Sequence, residues 1–493
     1  MSTRAIASST LWQLVSQVAM AVLSIITVKF VTIGLSKELV GYYNSAYGYL
    51  QLFGILADFG LYAIAVREVS RAEDKNKTLG ALIVLRAVIL IISLSSALLI
   101  AWVIPQWQGT PLPLSIAIAS LVPFFTLLAG MLRTIFQVRY RMHYVFIAEV
   151  TQRVITASAI GAFVLWGLHE TTDVQYLHLF LLIGGIGAFV LFALSALYGN
   201  RLLRPSFDID RRTVLAFFRH AAPYGIAFLC MALYRQFDIT LIAILRPDFE
   251  LQNAYYGSVQ RMADMAYLLP TFLLNSVLPI LSERDAKNQS VQGLLEKTFL
   301  TILLIGAIAM LFAFFWARPL VLLLTTADYL STPDRLGSDT ALRLAALPMF
   351  LNGIILFSFY SLLTKHAWER LVKTLFIGAF VSLVCNLWLI PGLGFVGASL
   401  TSIVVHILLA CLLLPQSLRV LPVHLHPSKL IRCFLFAFLL AFPLYTSAHL
   451  LTSELTTVIG LGLATLWMGF LAWALGFREL LWSEERQEWQ QRQ

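Results

Sequence analysis

The sequence predicts an all-α polytopic membrane protein with about fourteen transmembrane helices, set as two six-helix lobes plus two C-terminal helices. Three observations carry this. First, the 493 residues are 59% hydrophobic and 12% charged, where a soluble domain carries about 25% charged residues. Second, mean hydropathy is +0.81 and apolar runs of about 20 residues, the length a helix needs to span a bilayer, recur along the whole chain. Third, the connections between those runs alternate between rich and poor in Arg and Lys.

In chain order the predicted spans are 11–34, 40–66, 79–104, 112–136, 145–168, 174–198, 214–245, 251–281, 297–318, 340–364, 371–390, 394–416, 430–450 and 455–477. Arg4 precedes a first span too long for a signal-peptide core, so that span reads as an uncleaved helix. One set of connections holds Arg67, Arg71, Lys75 and Lys77; Arg139 and Arg141; Arg201, Arg204, Arg211 and Arg212; Arg284, Lys287 and Lys297; Lys365, Arg370 and Lys373; and Arg419, Lys429 and Arg432. The other set holds only Lys37, Arg246, Arg318 and Arg335. Basic loops stay inside, so both termini are expected in the cytoplasm, and the net charge of +9 needs no nucleic-acid partner. Trp102, Trp107, Trp166, Trp316 and Trp388 fall at predicted outer ends, as an aromatic belt does. The longest outer connection, 318–339, is too short for a catalytic domain. The tail 478–493 reads either as an interfacial helix or as a solvated end.

A short repeat links two outer turns. Glu38-Leu39-Val40-Gly41-Tyr42-Tyr43 follows the first span, and Glu250-Leu251-Gln252-Asn253-Ala254-Tyr255-Tyr256 follows the seventh. Six helices between them match a parallel repeat with a substrate site between halves. The expected division is 1–200 and 201–418 for the two lobes, 419–477 for the extra helices, and the tail.

Charges inside the bilayer point to function. Arg235 and Asp238 lie three apart on one span, and Arg261 and Asp264 three apart on the next, so each pair shares a helix face. An intramembrane charge costs about 2.5–3.5 kcal/mol on insertion scales. Four in one hairpin imply a polar site or a lock between helices. Lys29 lies in the outer part of the first span, equivalent to Arg235 under the repeat, and Asp58 lies in the second. Lys29, Arg235 and Arg261 are the candidate substrate-binding cations, suited to an anionic group such as pyrophosphate. Asp58, Asp238 and Asp264 are the candidate proton or Na+ carriers. Arg86, Arg133, Glu149, Arg153 and Arg219 read as anchors that snorkel to the inner surface. Gln13, Gln17, Asn275 and Asn352 suit sugar hydroxyls or interhelical bonds, and Tyr42, Tyr43, Tyr47, Tyr49, Tyr255 and Tyr256 suit sugar stacking or interfacial anchoring.

Catalytic signatures are absent: there is no GxxxxGK[ST], HExxH or GxSxG. The histidines lack metal-ligand spacing, and Cys230, Cys385, Cys411 and Cys433 read as small core residues. No cofactor, metal or catalytic residue is expected, and an ion gradient, the membrane potential or downstream product removal has to supply energy.

Three segments carry a family resemblance. They are GYYNSAYGYLQLFGILADFGLYAIAVREVSR (Gly41 to Arg71), APYGIAFLCMALYRQFDITLI (Ala222 to Ile242, with Asp238 matching a frequent family acid) and NLWLIPGLGFVGASLTS (Asn386 to Ser402). In their order and in span count the chain resembles the polysaccharide flippases, the O-antigen and exopolysaccharide lipid translocases of the multidrug/oligosaccharidyl-lipid/polysaccharide exporter superfamily. The resemblance implies two bundles in a V around a cationic central cavity. It implies flipping of undecaprenyl-pyrophosphate-linked oligosaccharide across the bacterial cytoplasmic membrane by alternating access. The implied partners are that substrate, membrane lipids, and the polysaccharide polymerase and export machinery. The alternatives are a cation-coupled multidrug exporter of the same fold, a lipid II flippase, and a membrane glycosyltransferase or polymerase. Against these stand the basic excess, the missing arginine-rich first helix and the short outer loop respectively.

Overall fold

The computed structural model describes residues 3–58, 61, 65, 68–69, 72, 74–139, 141–203, 206, 211–286, 290–365 and 367–477. The tail 478–493, the basic residues Arg67, Arg71, Arg204 and Lys287, and the side chains of Gln13 and Gln17 lie outside the described residues. Helices make up nearly all of the rest, and among the described residues there is no strand. Among the described residues, eleven helices are long and apolar enough to cross a membrane. The predicted spans 11–34, 40–66 and 251–281 are not among them. They correspond to α1 (Thr3–Gly34), in which Ala19–Gly34 is apolar, α2 (Lys37–Asp58) and α9 (Phe249–Ala286).

The chain divides into two compact units. The first holds residues 1–258 and 379–398. In it α1 packs on α6 (His143–Leu165), α6 and α5 (Leu121–Val138) pack on α7 (Val174–Leu202), and α2 lies between α3 (Lys75–Val103) and α8 (Arg211–Leu245). Its core includes Leu79, Leu82, Leu132, Ile135 and Phe217. The second unit holds residues 259–378 and 399–493. There α10 (Gln292–Phe315) packs on α12 (Ser338–Thr364) and α15 (Pro427–Ser447), and α16 (Glu454–Ala474) joins α15. Its core includes Leu300, Trp316, Phe436, Leu440 and Leu471. The helices α9, α13 (Trp368–Leu393) and α14 (Phe395–Val420) each contribute residues to both units.

Local chemistry sets the boundaries. Asp74 caps α3 by accepting from the N–H groups of Asn76 and Lys77, and Asp173 caps α7 at Gln175. Ser453 and Thr456 form a capping box on α16. The predicted span 112–136 is two helices, α4 (Leu112–Ala119) and α5, because Pro123 has no N–H to give Ala119. The outer connection 318–339 is itself structured. It contains α11 (Ala317–Leu324) and a turn in which Asp339 accepts from the Ser331 N–H at 2.7 Å and from its hydroxyl at 2.6 Å.

Helix ends also correct the aromatic-belt reading. Trp107 and Trp316 are buried, not interfacial. Each indole N–H donates to a carbonyl near a helix C-terminus: Trp107 to Ala243 at 2.8 Å and Trp316 to Leu444 at 2.9 Å. Those carbonyls lack intrahelical donors. Trp102, Trp166 and Trp388 are exposed, as expected. Cys411 is exposed rather than in the core.

The two repeat segments pack against each other. A Cβ on Gly41 would run into the Glu250 carbonyl, and one on Gly257 into Asn44. Counted from the paired tyrosines Tyr42-Tyr43 and Tyr255-Tyr256, Asn44 is level with Gly257, and those two positions touch. The α8–α9 turn is tied to the α13–α14 turn. Arg246 donates to Asp248 and to the Pro391 carbonyl, both at 2.7 Å. Gln252 donates to Asp248 and accepts from the Phe395 N–H, beside Gly394 at φ +58°.

Two outcomes follow from this packing. Gly41→Ala should lower stability by about 1–3 kcal/mol, since backbone must move, whereas Gly462→Ala, with nothing near its Cβ position, should be neutral or stabilising. Thermal unfolding of the two variants in lipid checks this. Burial pushes the Asp248 carboxyl up, but hydrogen bonds from Arg246 and Gln252 and the Arg246 charge outweigh it and hold it below the usual value. A depressed value gives stability that is present above the usual carboxylate range and lost as pH falls through it. Arg246→Ala should therefore speed hydrogen exchange at Phe395 at neutral pH, and the wild-type advantage should start to decline below about pH 4 and be lost as pH falls further, through the depressed value.

Candidate functional site

A cavity of about 310 Å³ opens within the first unit. Helix α8 supplies most of its wall through Phe228, Met231, Ala232, Arg235 and Gln236, which recur at helical spacing and so share one face. Helix α2 supplies Ile55 and Asp58, three apart near its end. The wall is therefore apolar along one side and polar where Asp58, Arg235 and Gln236 meet it.

Asp58 is held by Arg86 of α3 in an ion pair. Arg86 is 3% exposed and its guanidinium packs beside Gly130 of α5. Arg86 does not snorkel, contrary to the sequence reading: its charge is spent on Asp58 inside the unit. Arg133 is also paired, donating to Glu149 at 2.9 Å, and the other Glu149 oxygen accepts from Ser16 of α1 at 2.6 Å. A charge with a partner at hydrogen-bond distance has no need to reach for the surface. Arg219 is exposed, as an anchor is.

Asp238 faces elsewhere. It is 2% exposed and accepts from the Tyr256 hydroxyl at 2.8 Å and from the Asn386 amide at 2.9 Å. Neither partner is charged, and Arg235 is not one of them. Positions three apart differ by about 60° around a helix, enough here to send Arg235 to the cavity and Asp238 into the packed interior. The lock between Arg235 and Asp238 is thus replaced by hydrogen bonds to α9 and α13. Around it lies a polar junction. The Asn253 amide donates to Ser45 at 2.8 Å and to the Ile239 carbonyl at 3.0 Å, and Asn44 donates to the Asn253 carbonyl at 3.0 Å. Tyr256 and Tyr255 are buried, so neither anchors at the interface. Tyr43 and Tyr49 are buried too, and Tyr49 donates to the Ala97 carbonyl at 2.7 Å.

Of the six candidates, Arg235 and Asp58 thus share the cavity and Asp238 sits in the junction. Lys29 is half-buried on α1 and is not in the cavity lining. Arg261 and Asp264 are half-buried on the part of α9 that belongs to the second unit. Asn352 is fully buried in that unit, with neither amide atom hydrogen-bonded, and Asn275 accepts from Tyr360 at 2.7 Å. Sequence reasoning missed Arg86, Asn386 and Gln236 as site residues. Only the last left a local signal, since Gln236 follows the Phe228 and Ala232 positions at i+8 and i+4.

The geometry has counterparts among solved structures. One titled "Lipid II flippase MurJ, inward closed conformation" matches 96% of this chain and 100% of its own, with a TM-score of 0.71 and 14% identity. An inward-facing multidrug resistance MATE family transporter of the MOP superfamily matches 81% of this chain and 94% of its own, at TM-score 0.60 and 12% identity. An outward-facing MATE family transporter matches 84% and 96%, at 0.56 and 14%. At such identities the likeness is one of fold. No curated protein sequence matches the chain. A family described as "Polysaccharide biosynthesis protein" matches residues 6–285, more than half of the chain. The chain is a multi-pass membrane protein with a fold shared by flippases and exporters, and it belongs to this polysaccharide biosynthesis family.

Proposed function

We propose that this protein flips undecaprenyl-pyrophosphate-linked oligosaccharide from the inner to the outer leaflet of the bacterial cytoplasmic membrane, by alternating access, for surface polysaccharide biosynthesis. The observation that carries the reading is the cavity on α8. It offers an arginine, an amide and a carboxylate within a wall that is otherwise apolar, in a chain of a polysaccharide biosynthesis family. Arg235 suits phosphate oxygens, which a guanidinium engages in a planar fork. Lys29 and Arg261 complete the proposed set of cations. The proposal keeps the two lobes at 1–200 and 201–418, both termini in the cytoplasm, and polymerase and export machinery as partners downstream.

Among the acids, the environments of Asp58 and Asp238 differ in what they leave over. Arg86 already neutralises Asp58. Asp238 has only neutral donors, and a buried carboxylate without a cation carries a large desolvation cost. Coupling to a proton or Na+ therefore rests first on Asp238, with Asp58 and Asp264 as the other candidates.

Deleting the chain should trap complete lipid-linked repeat units on the cytoplasmic face, read by leaflet-selective fractionation. Arg235→Ala with Arg261→Ala should give the same defect with normal protein level, and unimpaired surface polysaccharide in that variant would sink the proposal. Unchanged polysaccharide with raised drug sensitivity in the deletion strain would move the assignment to multidrug export. Asp238→Asn should leave the fold intact. The unbonded Asn386 Oδ1 can turn to accept from the new amide. In proteoliposomes, that variant should lose the dependence of flipping on an imposed H+ or Na+ gradient.

A further inference from the structure

One residue of the cavity wall carries a polar atom that the chain itself does not satisfy. Gln236 Oε1 is buried and accepts no hydrogen bond. Its neighbours along the wall are Arg235 on the same helix, Asp58 on α2, and the apolar Ile55, Phe228, Met231 and Ala232. An amide oxygen left without a donor in such a place costs stability unless a ligand or water supplies one. A pyrophosphate cannot supply it, because its oxygens are acceptors near neutral pH. A sugar hydroxyl or the N–H of an acetamido sugar can. The volume, about 310 Å³, sits at the low end of ligand sites, near 300–1,000 Å³, and so fits a head of limited size rather than a whole oligosaccharide.

Resting on the flippase reading, we propose that Gln236 is a specificity-determining residue: its amide oxygen accepts a hydroxyl or amide N–H from the sugar next to the pyrophosphate. Arg235 then holds the anion common to every carrier, and Gln236 separates a sugar-bearing carrier from a bare one. The division follows from the two side chains being adjacent in sequence, one only a donor and the other with an unbonded acceptor atom.

The test uses the full-length protein in nanodiscs and two probes, polyprenyl pyrophosphate and the same lipid carrying one hexose or acetamido-hexose. Gln236→Met keeps the volume and removes the acceptor. It should lower affinity for the sugar-bearing lipid by about 5–10-fold, the range of one neutral hydrogen bond, and leave the bare lipid unchanged. Its unliganded melting temperature should not fall, since no hydrogen bond within the protein is lost. Gln236→Glu keeps an acceptor and should preserve the ratio between the two lipids, which provides a readout even if the Met variant folds poorly. Equal weakening of both lipids by the Met variant would show that Gln236 contacts the phosphate and overturn the inference. So would no change in either. Arg235→Ala separates the two levels: if it binds bare pyrophosphate lipid as wild type does, the anion-site reading fails whatever Gln236 does.

Discussion

The polar junction between α2, α8, α9 and α13 is what the first unit depends on. In a bilayer, groups that cannot reach water must find partners within the protein. Asn253 meets much of that demand, since its side-chain N–H groups bond Ser45 and Ile239 and its backbone carbonyl takes Asn44, while its side-chain oxygen stays unbonded. Glycines at 41 and 257 allow the backbones close enough for those bonds to form. Each component enforces the other: without the close approach the amides are orphaned, and without the bonds the polar residues have no reason to be in the membrane. Asp238 is built into this junction, so its charge is held where α8, α9 and α13 converge.

This arrangement also sorts the charges. Asp58 and Arg86 cancel, as do Arg133 and Glu149. Arg235 reaches the cavity and Asp238 remains with neutral donors. Breaking a buried pair by removing one partner costs about 3–5 kcal/mol, so the paired residues are poor candidates for groups whose charge changes during a cycle. Asp238, held among neutral donors, is a better one. Burial of charge is thus not one observation but two, and partner identity separates them.

The spans were legible because hydropathy and loop charge act locally. Runs such as 174–198 and 340–364 recur as α7 and α12 within a few residues. Where the expectation slipped, a specific group was responsible, as at Pro123, or at the indoles of Trp107 and Trp316 that cap carbonyls over a hundred residues away. Residue types at the site were legible as well, since Arg235, Asp238 and Asp58 stand out in apolar sequence. Their partners were not. Asn386 lies 148 residues from Asp238, and nothing in either segment specifies that distance. Arg86 looked like an anchor because position along a span does not tell which way a side chain turns.

The same reasoning explains why an amide escaped notice beside an arginine. Charge is costly in lipid, so a sequence reader weighs every arginine and passes over a glutamine, whose insertion penalty is smaller and whose common use is bonding between helices. In the folded chain the order of information reverses. Arg235 states only that an anion is tolerated, which under the proposed function holds for every pyrophosphate-linked lipid. Gln236 lines the cavity and its buried amide oxygen accepts no hydrogen bond, and an unmet acceptor is more specific about its missing partner than a charge is. Selectivity among carriers sharing one anionic head has to come from such neutral groups, because the feature that differs between the carriers is itself neutral.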